Sequence, residues 1–318
     1  MRKTMTTHTM QAMLLHDYGS SESLQLEEIP RPLPQEGEAL VRVYAAGVNP
    51  FDWLIPQGTF KKSRPITFPF IPGMEVAGVV EVVGAGVTSE LLGQKVLGQV
   101  PHGGYAEYVS IPVHALARKP QSMSFIEAAA FPLGVTIAWR ALFDNGKVTA
   151  GQQVLIQSAS MGMGTFAVQL AKWKGARVTG IASTTYREFV HSLGAEMVRD
   201  ATGMPAERMD LVLQGAGSSV SSALAVLRDG GTLIASGKLS PDEQKQVQER
   251  GIRVVTSGGT TSATLDQLVQ LAEEGHLTVP VGKTFALREA ARSHAYAQSG
   301  QGFGRFVLCV LEEDSLMP

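Results

Sequence analysis

The sequence of 318 residues holds a single cysteine, Cys309, so no disulfide and no cysteine-built zinc cluster can form within the chain. Charge of neither sign is in excess: 27 Lys and Arg stand against 29 Asp and Glu, a formal charge of −2. That balance gives no basic stripe for nucleic acid and no global field toward an acidic membrane. No apolar run approaches the length of a membrane-spanning helix. After Met1-Arg2-Lys3-Thr4 the only nearby apolar stretch, Ala12 to Leu15, is too short for a secretory signal, so the expected location is the cytoplasm. Low-complexity tracts are also missing. With 44% hydrophobic and 18% charged residues, the chain is expected to fold throughout, apart from a loose extension over residues 1–9. These absences leave a small molecule as the expected partner. The lone cysteine, in the strand-like run Arg305 to Val310, reads as a core thiol.

What is present divides the chain in two, as its length suggests. Residues 10–118 carry short β-type runs broken by Gly and Pro, including Leu40-Val41-Arg42-Val43-Tyr44, Gly78 to Val83, and Tyr105 to Ile111. Beyond Ser124 longer helical stretches alternate with apolar strands, the mark of βαβ units. Strands are expected at Val154-Leu155-Ile156, Arg177 to Ala182, Met197-Val198, Asp210 to Leu213, Thr232 to Ser236 and Arg253 to Thr256, enough for a doubly wound sheet. Helices fit at Thr165 to Lys174, Tyr186 to Leu193 and Ser219 to Leu227, each followed by the glycine that a left-handed C-cap favours. Further helices are expected at Leu265 to Glu274 and Phe285 to Tyr296, then a last strand, Arg305 to Leu311.

The segment from Val154 to Thr165 runs strand, small-residue turn, helix start, the order in which backbone N–H groups and a helix dipole receive a dinucleotide pyrophosphate. Ser160, Met161, Gly162, Met163 and Gly164 are the candidate contacts. Against G-x-G-x-x-G, the first two glycine places hold Ala159 and Met161, and an ordinary tight β–α turn is the alternative. The end of the second strand reads Ala182-Ser183-Thr184-Thr185-Tyr186-Arg187, with no acidic residue to bind a free 2′-hydroxyl. Ser183, Thr184 and Arg187 therefore favour the 2′-phosphate of NADPH, although Arg187 also suits a solvated place in a helix's first turn.

Three motifs, Asn49-Pro50-Phe51-Asp52-Trp53, Pro72-Gly73-Met74-Glu75-Val76-Ala77-Gly78 and Gly104-Tyr105-Ala106-Glu107-Tyr108, resemble successive signatures of the zinc-independent quinone oxidoreductases of the medium-chain dehydrogenase/reductase family. The likeness continues through Leu133 to Trp139 and Leu193-Gly194-Ala195 to Gly304-Arg305-Phe306-Val307. It implies an α/β protein with a GroES-like β-rich catalytic domain at 1–133, a Rossmann doubly wound parallel sheet domain binding NADP(H) at 134–259, and a return to the catalytic domain at 260–318. A cleft between the domains and a homodimer through the last Rossmann strand, near Ile252 to Ser257, belong to the same expectation. Zinc-dependent relatives have Gly-His-Glu where this chain has Gly73-Met74-Glu75, so a metal ligand is missing.

The resemblance also assigns roles. Asn49 lies by nicotinamide and substrate, Thr136 lies by the nicotinamide ring, and Arg305 joins the cofactor contacts. The alternative for Asn49 is a loop residue bonding its own backbone, and Asp52 reads as a brace for that loop. Hydride transfer without a Lewis acid needs hydrogen-bond donors for the charge growing on a substrate oxygen, and Tyr105 and His102 join Asn49 as candidates. Leu54 stands where many relatives carry a donor, so an apolar acceptor bordered by Phe51, Trp53, Leu54, Phe68, Phe70 and Met74 is expected. The resulting expectation is NADPH-dependent reduction of a quinone or a carbonyl-conjugated C=C. An enoyl or alkenal reductase and a weakly catalytic NADPH-binding sensor are the alternatives.

Overall fold

The computed structural model describes residues 8–200, 203, 208–215 and 217–311, so the extension expected at 1–9 falls, up to residue 7, outside the described residues. Two units separate: one is built of the chain up to Leu133 together with Val281 onward, the other of Gly134–Pro280. In chain order the first unit begins with β1 (Thr9–Leu14), β2 (Gln25–Pro30), β3 (Glu38–Val48), α1 (Pro50–Leu54), β4 (Glu75–Val83), β5 (Lys95–Gln99), β6 (Tyr108–Pro112), β7 (Leu116–Arg118) and α2 (Phe125–Ala129). The second runs through α3 (Pro132–Trp139), a π-helical turn at Arg140–Asn145, β8 (Gln153–Ile156), α4 (Met163–Trp173), β9 (Arg177–Ile181), α5 (Arg187–Ser192), β10 (Met197–Arg199), β11 (Met209–Leu213), α6 (Val220–Val226), β12 (Leu227–Ala235), α7 (Pro241–Glu249), β13 (Arg253–Thr256) and α8 (Leu265–Glu273). The chain then re-enters the first unit with β14 (Val281–Ala286), α9 (Ala290–Gln298) and β15 (Arg305–Cys309).

The first unit is organised about β3, which is buried along almost its whole length because both its edges are paired. Antiparallel β4 covers one edge, while the other is shared by β6 over Glu38–Arg42 and β15 over Ala45–Val48. The sheet order is β14-β15-β3-β4-β5-β7, with β6 on β3 and a separate β1–β2 pair. Tyr44 stacks on Phe125 of α2 at 4.5 Å between ring centroids, closing that face of the core.

In the second unit β10-β9-β8-β11-β12-β13 form one parallel sheet, near-continuous apolar strands covered by helices. Its order reverses between β8 and β11, the switch point at which an open α/β sheet leaves a crevice beyond its strand ends. β13 is one of the two edge strands, and Arg140 and Asn145 reach the carbonyls of Thr256, Ser257, Gly258 and Gly259 beside it.

Several sequence expectations need correction. The stretch expected as a helix from Phe285 begins as the end of β14, which pairs in parallel with β15, and the helix proper starts at Ala290. The helix expected to reach Leu227 stops at Val226, because Leu227 opens β12. Residues 260–280 belong to the second unit, since buried Gln169 of α4 accepts the Thr278 N–H at 2.7 Å and donates to the Thr278 carbonyl at 3.1 Å. Cys309 is only half-buried, not a core thiol.

Where β3 and β4 meet, an added Cβ on Gly78 would lie 2.0 Å from the Arg42 carbonyl oxygen, so the strands close only because that side chain is missing. Gly78→Ala is expected to lower stability by about 2–3 kcal/mol, the upper range for overpacking, measured as a fall in the urea midpoint. A change within a few tenths of a kcal/mol would contradict this reading.

Candidate functional site

In the first unit the motif residues meet in a buried polar centre. Asn49 ends β3 and precedes Pro50, whose fixed φ opens α1. The Asp52 carboxylate turns back to accept the Asn49 backbone N–H at 2.7 Å and the Gly73 N–H at 3.1 Å, the brace expected of it. The Asn49 side chain is thereby left for other partners and makes no cap of its own. Its Nδ2 donates to Glu75 Oε1 at 2.8 Å, and its Oδ1 accepts from Arg305 Nη2 at 2.8 Å. The Arg305 guanidinium also pairs with Glu75 and donates through Nε to the Ala130 carbonyl at 3.0 Å, while the Leu133 N–H donates to Glu75 Oε2 at 2.8 Å. Glu75 is 0% exposed and Arg305 3%, so the pair holds each other's charge where water cannot.

Asp52, also buried, has no cation of its own among the described residues. Burial first, and the like charge of Glu75 next, push its carboxyl up from 3.8 to about 7, against the hydrogen bonds from Asn49, Gly73 and Tyr105. Tyr105 is completely buried. Its Oη lies 3.3 Å from Asp52 Oδ2 and 3.0 Å from His294 Nε2. Burial, with the Asp52 charge adding to it, raises the phenol well above its ordinary value. Gly73, at φ +94°, leaves room for this ring: a Cβ there would stand 2.5 Å from Tyr105 Cδ1. His102 lies against Phe70 at 5.2 Å between rings, its pKa lowered by burial and then by Arg64.

The apolar residues expected around an acceptor find partners within the same unit: Phe51 meets Phe60 at 5.7 Å, Phe68 meets Tyr18 at 5.1 Å, and Trp53 meets His294 at 5.6 Å. Leu54 and Met74 are half-buried.

In the second unit the expected nucleotide residues gather at the carboxyl ends of β8 and β9, whose parallel register sets Ile156 beside Gly180. Beyond β8, Ser158 takes a left-handed φ of 55° and its carbonyl accepts the Met161 N–H at 3.2 Å. Gly162 follows at φ 56°, ψ −133°, and no side chain caps the start of α4, where the Gly164 N–H turns back to the Met161 carbonyl at 3.0 Å. A Cβ on Gly164 would fall 2.2 Å from the Ser158 carbonyl oxygen. The turn thus draws its freedom from Gly162 and Gly164, which is how it tolerates Ala159 and Met161 at the first two motif places. Ser160 is buried, and Met161 and Met163 are half-buried.

Past β9, Ser183, Thr184 and Arg187 are exposed around a 3-10 turn, with Ser183 Oγ accepting the Thr185 N–H at 3.4 Å. Thr136 is half-buried on α3. Arg305, counted from the sequence among the cofactor contacts, has its guanidinium committed to Glu75, Asn49 and Ala130 in the first unit. Sequence reasoning passed over Glu75, His294 and Arg199. The last sits at the end of β10 in register with Ile181, its Nε buried without a hydrogen-bond partner.

The sequence profile described as "Alcohol dehydrogenase GroES-like domain" matches residues 35–121, and that described as "Zinc-binding dehydrogenase" matches residues 189–308. A quinone oxidoreductase of Pongo abelii is 30% identical over 94% of this chain and 97% of its own. The chain belongs to the quinone oxidoreductase branch of the medium-chain dehydrogenase/reductase family. An Arabidopsis thaliana NADPH-dependent alkenal/one oxidoreductase is 31% identical over 94% of this chain and 79% of its own. The solved quinone oxidoreductase of Coxiella burnetii superposes with a TM-score of 0.84 at 25% identity, covering 95% of this chain and 100% of that one. Members of the family are oxidoreductases using a nicotinamide cofactor, and this one is an oxidoreductase.

Zinc does not fit here, despite one profile's description. Met74 offers a thioether, Glu75 is bound to Arg305, and among the described residues no group of three or more His, Cys, Asp or Glu is placed to hold a metal ion. A nicotinamide dinucleotide does fit the second unit, whose uncapped helix start and tight glycine turn are a cradle for a diphosphate.

The buried acid and imidazole make opposite demands on pH. Folded Asp52 keeps its proton up to about 7, whereas its unfolded form ionises near 3.8, so its contribution to stability falls as pH rises through that window. Burial lowers His294 from 6.5 to about 4, so the unfolded chain takes up a proton first, and this contribution is lost as pH falls between those values. Relative to wild type, Asp52→Asn should therefore gain stability with rising pH between about 4 and 7, and His294→Gln should lose it between about 4 and 6.5. Urea unfolding across that range checks the opposite signs, each bounded by about 1.4 kcal/mol per pH unit for one proton. Parallel profiles would refute the assignment.

Proposed function

We propose that this oxidoreductase reduces a quinone, or a carbonyl-conjugated C=C, with NADPH. The observation that carries the reading lies at the carboxyl ends of β8 and β9 in the second unit. There an uncapped helix start stands next to a strand end bearing Ser183, Thr184 and Arg187 and no carboxylate before Glu188. The diphosphate goes to the backbone of Ser160, Met161, Gly162, Met163 and Gly164, and the 2′-phosphate to Ser183, Thr184 and Arg187. Arg199, one strand over, whose Nε is buried without a hydrogen-bond partner, supports the same assignment by offering a second cation. Thr136 is assigned to the nicotinamide ring. Arg305 is assigned to the cofactor only through the Asn49 amide that it fixes.

NADPH, when bound, supplies the hydride. The chain's own part is to orient the acceptor and to meet the charge that grows on its oxygen. Asn49 is the donor assigned to that oxygen: Glu75 takes one of its two amide hydrogens, and the other remains to donate. Arg305 on the amide oxygen prevents the group from flipping, so the Nδ2 direction is fixed. Tyr105 and His102 are assigned supporting hydrogen-bonding roles. A second reading, reduction of an alkenal or enone, is favoured by the Arabidopsis thaliana relative's name, and the same residues serve it. A cytoplasmic homodimer joined through β13 completes the proposal; no helix among the described residues is long and apolar enough to cross a membrane.

Titration of the fluorescence of Trp139 and Trp173, which lie 5.9 Å apart in the second unit, tests cofactor choice. NADPH should bind at least tenfold more tightly than NADH, and Arg187→Ala should weaken NADPH by about tenfold or more while leaving NADH unchanged, the size of one charge-assisted hydrogen bond. Equal affinities would sink the NADPH assignment. Product analysis then separates the substrates, hydroquinone from saturated carbonyl. Binding without turnover of either class would remove both.

A further inference from the structure

A row of polar side chains crosses the first unit, and of its members the reaction proposed above assigns a hydrogen-bonding role to Tyr105 alone. Ser21, on the 3-10 turn Ser21–Ser23, has its Oγ 2.9 Å from His294 Nδ1. His294 Nε2 lies 3.0 Å from Tyr105 Oη, and Tyr105 Oη lies 3.3 Å from Asp52 Oδ2. The four residues come from a turn near the chain start, from α9, from the Gly-rich loop and from α1, with 273 positions between Ser21 and His294. Exposure falls from 8% at Ser21 to 0% at His294 and Tyr105 and 2% at Asp52, so one end of the row lies nearer to solvent than the rest.

Every link joins two atoms that can each give or take a proton. Hydroxyls donate and accept, and a neutral imidazole does one with each nitrogen. Two arrangements therefore satisfy the row. With Asp52 ionised, Ser21 donates to His294 Nδ1, His294 Nε2–H donates to Tyr105, and Tyr105 donates to Asp52. With Asp52 protonated, all three bonds reverse: Asp52 donates to Tyr105, Tyr105 donates to Nε2, and Nδ1–H donates to Ser21. Passing from the first to the second takes up one proton at the Ser21 end and shifts each remaining proton by one link. Nothing else changes in the balance. The imidazole stays neutral and only exchanges tautomers.

We propose that Ser21, His294 and Tyr105 form a proton relay that loads and unloads buried Asp52, so that His294 acts as a positioning residue for the Asn49–Asp52 turn. The charged neighbours agree with this. Glu75 on β4 is the like charge that faces Asp52, and Arg305 on β15 is spent on Glu75, so no cation among the described residues holds Asp52 ionised. Among the described residues His294 faces Tyr105, Ser21 and the Trp53 ring, none of which carries the negative charge that would hold an imidazolium. Burial lowers it to about 4, which keeps it neutral while Asp52 titrates at about 7. An ionised Asp52 grips the Asn49 and Gly73 N–H groups by charge-assisted bonds, and a protonated one grips them roughly half as strongly. The relay thus sets how firmly the Asn49 turn is held. This consequence rests on the reading of Asn49 as substrate donor, whereas the relay itself does not.

The test needs neither cofactor nor substrate, so its failure is distinct from failure of the functional reading. Nitrogen-15 NMR of the full chain labelled at its 7 histidines, with His294 assigned from the signal lost in His294→Gln, reports the tautomer directly. His294 is expected to be the Nε2–H form at pH 8.5 and the Nδ1–H form at pH 5.5, with a midpoint near 7. In Tyr105→Phe the tautomer should no longer follow pH. Should that variant not fold, Ser21→Ala serves, and there the Nε2–H form should persist to lower pH. A His294 that keeps one tautomer from pH 5.5 to 8.5 in the wild-type protein, or that becomes an imidazolium within that range, overturns the proposal.

Discussion

A carboxylate with no access to water governs the first unit. Glu75 is wholly buried, and an ion taken out of water costs several kcal/mol unless its lone pairs and charge are met. The groups that meet it come from distant parts of the chain: the Asn49 amide at the end of β3, the Leu133 N–H at the start of α3, and the Arg305 guanidinium on β15. Even the space is arranged, since a Cβ on Gly47 would stand 2.2 Å from Glu75 Oε1. The return of the chain to the first unit after the second is complete is therefore a chemical requirement as well as a topological fact. Without β15 the acid would be buried with no cation.

That arrangement accounts for the different condition of two neighbouring acids. Glu75 has Arg305, while Asp52 has only neutral donors and feels Glu75 as a like charge, so its proton stays until about 7. Asn49 stands between the two: its backbone is held by Asp52 and its side chain by Glu75 and Arg305. Asp52 comes three positions after Asn49, and the short helix opened by Pro50 turns its carboxylate back to the Asn49 N–H. The amide is consequently fixed at both ends before any substrate arrives, which is the preorganisation a hydrogen-bond donor needs if it is to act on a developing charge.

How much of this is legible in the sequence depends on how far apart the partners lie. The parallel strands of the second unit stand out as short apolar runs, legible to within a residue except for β12, whose start at Leu227 is hidden by a helical-looking stretch before Gly230-Gly231. β14 was misread for a similar reason: its end, Phe285-Ala286, precedes a 3-10 turn and then α9, so apolar spacing ran together across a change of element. α7 has no buried residue and therefore no apolar stripe, although Ser240-Pro241-Asp242-Glu243 carries its capping box plainly. At the site, Asn49, Asp52, Glu75 and Tyr105 sit in recognisable motifs. Arg305 lies 230 positions from Glu75 and His294 189 from Tyr105, and no local pattern announces that either pair is in contact.

The two units answer to different physical demands, and this separates what substitution can reach in each. In the first, selectivity for a conformation comes from side chains whose charges and protons must be mutually satisfied, so replacing one member alters the others through the shared network. At the switch point of the second, the work is done by backbone: the left-handed Ser158, the unusual Gly162 and the close contact at Gly164 shape the turn into α4 whatever side chains stand at 159 and 161. A motif judged by its glycine count alone looks weak in this chain. Judged by which positions must lack a Cβ for the strand, turn and helix start to close, it is intact, because the requirement has settled on Gly162 and Gly164.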